Sequence, residues 1–116
     1  MHVELLREFC LAKIAVEECF PFDENTLVFK VAGKMFCLIG LENPNQCNLK
    51  CDPEKAVELR QTYEAVQPGY HMSKIHWNTV HFNQDLNDKE ILNLVDHSYQ
   101  LVKASLPKKT RLELGL

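Results

Sequence analysis

Apolar positions change their spacing several times along this chain, and each change predicts an element. From Val3 to about Lys13, the residues Leu5, Leu6, Phe9 and Cys10 fall three and four apart, which is the period of an amphipathic helix. Val16 to Phe22 reads as an extended segment closed by Pro21, and Asp23-Glu24-Asn25 as a polar turn. Over Thr26 to Val31 the period drops to two. Leu27, Phe29 and Val31 take one face, Val28 and Lys30 the other. Ala32-Gly33 is a tight turn, and Lys34 to Leu41 is a second strand, apolar enough to be covered on both faces. The two runs predict a hairpin.

The second half is punctuated just as clearly. Glu42 to Asn45 is a turn, and Gln46 to Lys50 a short strand with Cys47 and Leu49 facing one way. Asp52-Pro53 opens a helix. Asp is a favoured N-cap, and Pro fits the first helical position, where no N–H is needed. That helix is expected to reach about Tyr63. Pro68-Gly69 places a loop or short strand within Val66 to Met72, with an extra strand expected near Tyr70, and Trp77 to Phe82 is the last strand. Asn87 followed by Glu90 is a capping-box pattern, with Leu86 and Ile91 as a hydrophobic staple. Ile91, Leu94, Val95, Ser98, Tyr99, Val102 and Leu106 mark the buried face of the final helix, and Pro107 ends it. Residues 107–116, with Lys108, Lys109 and Arg111, read as a loose basic tail.

The predicted order is α-β-β-β-β-α-β-α. Hairpin-connected strands with helices at both ends imply an α+β fold, an antiparallel sheet with helices packed on one face. A chain of 116 residues fits one domain. No stretch approaches the roughly 20 apolar residues of a membrane span. The amphipathic N-terminus, with Glu4, Arg7 and Glu8, does not resemble a signal peptide. A soluble, cytoplasmic, monomeric protein is therefore expected.

Chemistry is sparse. The five cysteines are odd in number and scattered. Cys47-x3-Cys51 has no second ligand pair at a matching distance, so buried apolar thiols are expected rather than a zinc site or disulfides. No Gly-rich phosphate loop, Gly-x-Ser-x-Gly elbow or His-Glu-x-x-His occurs, so neither catalysis nor a cofactor is expected. The net charge of −3 weighs against nucleic acid as a partner, though a local basic face is compatible with it.

The segment Pro68-Gly69-Tyr70-His71-Met72-Ser73-Lys74-Ile75-His76-Trp77-Asn78-Thr79-Val80 is similar to a pattern of Pro, then His-hydrophobic, then Lys-x-His-Trp, then Val. Leu94 to Tyr99 and Cys10-Leu11-Ala12-Lys13 match the last and first helices of the same proteins. Together they resemble the bacterial MmcQ/YjbR family over nearly the whole chain. The resemblance implies a CyaY-like fold. It also implies a "double-wing" arrangement, a helix flanked by β hairpins, proposed to meet DNA.

Candidate site residues follow from both readings. Lys30 and Lys34 flank the Ala32-Gly33 turn, Lys50 lies on the next strand, and Lys74 precedes His76 and Trp77. Lysines and histidines of this kind contact phosphates, and Trp77 either stacks on a base or fills the core. His71 belongs to the same segment. DNA bound weakly and without sequence preference is the leading expectation. The alternatives are a protein partner docking on the Trp77 face, or a small-molecule or metal-binding regulator drawing on His71, His76, His81 and His97.

Overall fold

Ala32 (φ 50°) and Gly33 (φ 81°) both take left-handed backbone, the combination a two-residue turn needs to match the twist of its strands. Gly33 adopts it freely, whereas Ala32 does so against its Cβ. The turn joins β2 (Thr26–Val31) to β3 (Lys34–Gly40), and Val31 pairs with Lys34 across it. The computed structural model describes residues 1–70 and 72–116.

Around this hairpin a six-stranded sheet is built in the order β1-β2-β3-β4-β6-β5, antiparallel throughout. The remaining strands are β1 (Val16–Cys19), β4 (Gln46–Lys50), β5 (Val66–Pro68) and β6 (Trp77–His81). Helices are α1 (Val3–Leu11), α2 (Pro53–Thr62), α3 (Asp88–Ser105) and α4 (Lys108–Leu114). The α+β fold is as expected. Asp52 caps α2 by accepting from Lys55 N–H, and Asn87 caps α3 by accepting from Glu90 N–H.

Two elements differ from the pattern-based order. The extra strand is Val66–Pro68, upstream of Tyr70. It is held in place by the Asp85 carboxylate, which accepts from the Ala65 and Glu64 N–H groups at 2.8 Å. These bonds, the one to Ala65 foremost, hold that carboxyl below its ordinary range. The segment read as a loose tail is helix α4. Gly115 ends it in left-handed backbone (φ 75°), and Leu116 N–H bonds back to the Arg111 carbonyl at 2.8 Å. Leu116 packs against the core, an anchor that its composition did not announce.

The core lies between one face of the sheet and helices α1 and α3. Leu27, Phe29, Cys37, Ile39, Leu49 and Val80 project from the strands onto Ile91, Val95 and Val102 of α3 and Leu6 and Cys10 of α1. Each large apolar side chain buried this way contributes about 1.5–3 kcal/mol. The ladder between β3 and β4 is short, with Cys37 opposite Leu49 and Leu38 opposite Asn48. Beyond it the buried Ser98 hydroxyl of α3 takes over. It accepts from Lys50 N–H at 2.9 Å and donates to the Phe36 carbonyl at 2.5 Å. A helix side chain thus completes the sheet at the end where Lys50 sits.

Candidate nucleic-acid interface on the open face of the sheet

Strand alternation assigns the face turned away from the core. Cross-strand partners share a face, so the register defines rows. Glu17, Lys30 and Met35 run across β1, β2 and β3, and Lys50 and Trp77 face each other across β4 and β6. The next row holds Cys19, Val28, Leu38, Asn48, Thr79 and Gln67. A third holds Thr26 with Gly40, and Gln46 with His81.

Three of the seven residues singled out from sequence lie on this face: Lys30 beside Glu17 and Met35, and Lys50 opposite Trp77. Trp77 is half-buried on this face and is not part of the core. Among the described residues, the Lys30, Lys34 and Lys50 ammonium groups make no ion pair or side-chain hydrogen bond. Several acidic groups, by contrast, are already engaged. Arg7 holds Glu18 at 2.6 Å and Lys13 holds Asp96 at 2.6 Å, and both carboxyls are pulled below their ordinary range by those hydrogen bonds. Each of these pairs takes up one cation with one anion, so the net charge of −3 stands, and a basic face depends on where the unpaired lysines lie.

The other four are placed differently. Lys34 sits at the hairpin tip opposite Val31, on the side of the sheet that carries the core. Lys74 lies in the loop before β6. Its ammonium is 3.3 Å from the Gly69 carbonyl, and its own carbonyl accepts from Arg60 at 2.7 Å. It lines a groove with Arg60, Val57 and Ile75, separate from the row. His76 is exposed, and its carbonyl accepts from Cys51 N–H at 2.8 Å, tying the loop to the end of β4. His71 lies outside the described residues.

A concavity of about 480 Å³ occupies the centre of the open face. Leu38 and Gly40 form its floor, and Phe22 and Tyr70 stand at its sides, 64% and 65% exposed. Asn43, Gln46 and Asn48 supply carboxamides. Pattern reading places Gln46 and Asn48 on the face opposite Cys47 and Leu49. It carries no signal that the loops holding Phe22 and Tyr70 converge over them. The Tyr70 loop is drawn in at Gly69, whose N–H donates to the Trp77 carbonyl at 2.9 Å. A Cβ there would lie 2.8 Å from the Trp77 Cβ, so only glycine permits this approach.

Among the described residues, no group of three or more His, Cys, Asp or Glu is placed to hold a metal ion, and no helix is long and apolar enough to cross a membrane. At Cys10 and Cys51 the surroundings disfavour the thiolate, the nucleophilic form. A hydrogen bond with Cys37, then burial, pushes the Cys10 thiol far up, and burial pushes Cys51 up to about 11.

The YjbR family model matches residues 11–101. The chain belongs to the YjbR family. It is 36% identical over 112 residues to YjbR of Escherichia coli K12, an alignment covering 96% of this chain and 95% of that protein. It is 36% identical over 107 residues to YbdF of Escherichia coli O157:H7, covering 91% and 88% of the two chains. The crystal structure of a Deinococcus radiodurans protein with a DUF419 domain superposes with a TM-score of 0.93 at 38% identity, over 99% of this chain and 88% of that one. A Pseudomonas syringae protein superposes at 0.73 with 28% identity, over 88% and 99%. These likenesses establish family and fold, and a fold by itself does not assign an activity.

Proposed function

We propose that this chain binds nucleic acid weakly and without sequence preference, through the open face of its sheet, and that unpaired DNA strands are its preferred form. The observation that carries the reading is the Lys50–Trp77 pair, facing each other across β4 and β6 with Lys30 on the same face. An ammonium beside an indole suits one nucleotide unit: the cation takes the phosphate and the ring takes the base. Every base has a π-face, so such stacking tolerates any sequence. Lys30 and Lys50 are free of ion pairs among the described residues, so a phosphate need not displace a carboxylate first. With few cations on the face, binding is weak and strongly salt-dependent.

An open sheet with aromatic groups at its surface fits splayed, single-stranded bases better than a duplex, whose bases are already stacked on one another. The test is fluorescence anisotropy of labelled single-stranded and duplex DNA at about 50 and about 200 mM salt. Salt-sensitive binding, tighter for the single strand and weakened in a Lys30→Ala, Lys50→Ala variant, is expected. No binding of either form at the lower salt overturns the reading.

A further inference from the structure

The central concavity has a composition unlike the basic row beside it. Among the described residues that line it, none carries a charge: the floor is Leu38 and Gly40, the sides are Phe22 and Tyr70, and the polar groups are neutral amides and hydroxyls. Its volume of about 480 Å³ falls in the range of small-molecule sites, roughly 300–1,000 Å³. A charged ligand would find no counter-charge among the described residues of the lining. Asn43 Nδ2 donates to Gln46 Oε1 at 3.4 Å, and a purely apolar ligand would leave the NH2 groups of Gln46 and Asn48 facing it unmatched.

The amide of Asn48 is oriented by a relay that fixes which end it presents. Tyr70 N–H donates to Thr79 Oγ1 at 3.1 Å, and Thr79 Oγ1 in turn meets Asn48 Oδ1 at 2.5 Å. The Asn48 Oδ1 can only accept, so the Thr79 hydroxyl gives its proton to it while accepting from the Tyr70 N–H. The Asn48 carbonyl is thereby engaged and its NH2 is left as a donor. The same relay ties the Tyr70 loop to the sheet, so the aromatic side and the oriented amide are set by one buried hydroxyl.

We infer that this concavity is a pocket for one uncharged nucleobase, whose ring lies between Phe22 and Tyr70 over Leu38 and whose edge is hydrogen-bonded by the carboxamides of Gln46 and Asn48. A planar heteroaromatic ring with donors and acceptors on its edge satisfies both halves of the lining. The inference deepens the nucleic-acid reading when the base belongs to a strand, and stands apart from it when the base is that of a free nucleoside.

The test uses the full chain, isotopically labelled, titrated with each of the four deoxynucleosides, with a ten-nucleotide single strand, and with an abasic strand of the same length. Amide resonances of Leu38, Gly40, Asn48 and Tyr70 are followed. Two variants accompany it. Gly40→Val places a side chain in the cavity: a Cβ at Gly40 meets nothing within 4 Å, and valine suits a strand, so the fold is retained. Tyr70→Ala removes one aromatic side. The expected result is nucleoside-induced shifts confined to the pocket, abolished by Gly40→Val and weakened about tenfold by Tyr70→Ala, in line with a lost stacking contact. Nucleoside binding without strand binding supports the pocket while overturning the nucleic-acid reading. An abasic strand that binds as well as the normal one, with no pocket shifts from any nucleoside, overturns the pocket and leaves the basic row intact. Nucleoside shifts that persist unchanged in Gly40→Val also overturn it.

Discussion

Lys50 and Trp77 stand directly opposite each other on β4 and β6, on the face of the sheet away from the core. Lys50 owes its place to the Ser98 hydroxyl, which holds its N–H, and Trp77 to the loop that closes on it at Gly69. The two side chains are expected to act differently. Lys50→Ala should lower the slope of log affinity against log salt by about 0.7 for a single strand, as one phosphate contact is lost. Trp77→Ala should weaken binding by about 1–3 kcal/mol with the slope unchanged, as a stacking contact is lost. Anisotropy titrations at several salt concentrations separate the two.

Gly69→Ala tests how the Tyr70 loop is held. The new Cβ would meet the Trp77 Cβ at 2.8 Å and the Trp77 carbonyl oxygen at 2.9 Å, and neither can swing aside as a flexible side-chain end would. The loop itself must move, at a cost of about 1–3 kcal/mol. The Tyr70–Thr79 bond should be lost with it. Thermal melting and the amide resonance of Tyr70 report both effects.

Ser98→Ala removes a hydroxyl that serves two strands at once. The Lys50 N–H and the Phe36 carbonyl would be left without partners where water has little access, which costs about 1–3 kcal/mol for an unsatisfied buried group. Denaturant unfolding should show the lower midpoint with an unchanged slope. Hydrogen exchange should show the loss concentrated at the β3–β4 junction.

His97 gives the fold a pH dependence of definite sign. Its Nε2 accepts from Asp52 N–H at 3.2 Å, so the ring is neutral at that nitrogen, and it joins α3 to the cap of α2. Burial, with Lys55 nearby, holds its pKa below the ordinary 6.5. The unfolded chain therefore takes up the proton first. The stability His97 contributes is complete above about 6.5 and is lost as pH falls through the lowered folded value. Thermal melts from pH 7.5 down to pH 5 should show a decline that His97→Gln reduces. The carboxylates held down by Arg7 and Lys13 titrate lower and should dominate only in more acidic solution.

Much of the fold was legible because alternation and capping speak directly through residue type. The β2–β3 hairpin and the Asp52 and Asn87 caps fall where the pattern put them. Strand β5 was less legible because Val66–Pro68 has no apolar alternation of its own and depends on Asp85, about twenty residues away in sequence. Helix α4 was missed for a similar reason: its charged residues read as solvated, and Leu116, which anchors its end, is a single apolar position. For the candidate site, sequence named the chemistry of the lysines but not their company. Lys34 pairs with Val31, the neighbour of Lys30, across the turn, which puts the two lysines on opposite sides of the sheet. The pocket was hidden because its aromatic sides come from two loops more than forty residues apart, and only the tertiary fold brings Phe22 and Tyr70 to one concavity.

Trp77 is the only tryptophan in the chain, so its emission reports on the proposed interface without a label. The most direct measurement is that emission, excited selectively, as an unlabelled mixed-sequence single strand is added at about 50 mM salt and the titration repeated at about 200 mM. Base stacking on the indole predicts saturable quenching that weakens sharply at the higher salt and is reduced by Lys30→Ala, Lys50→Ala. Emission that stays unchanged up to a large excess of strand at the lower salt would contradict a nucleic-acid interface at Lys50 and Trp77.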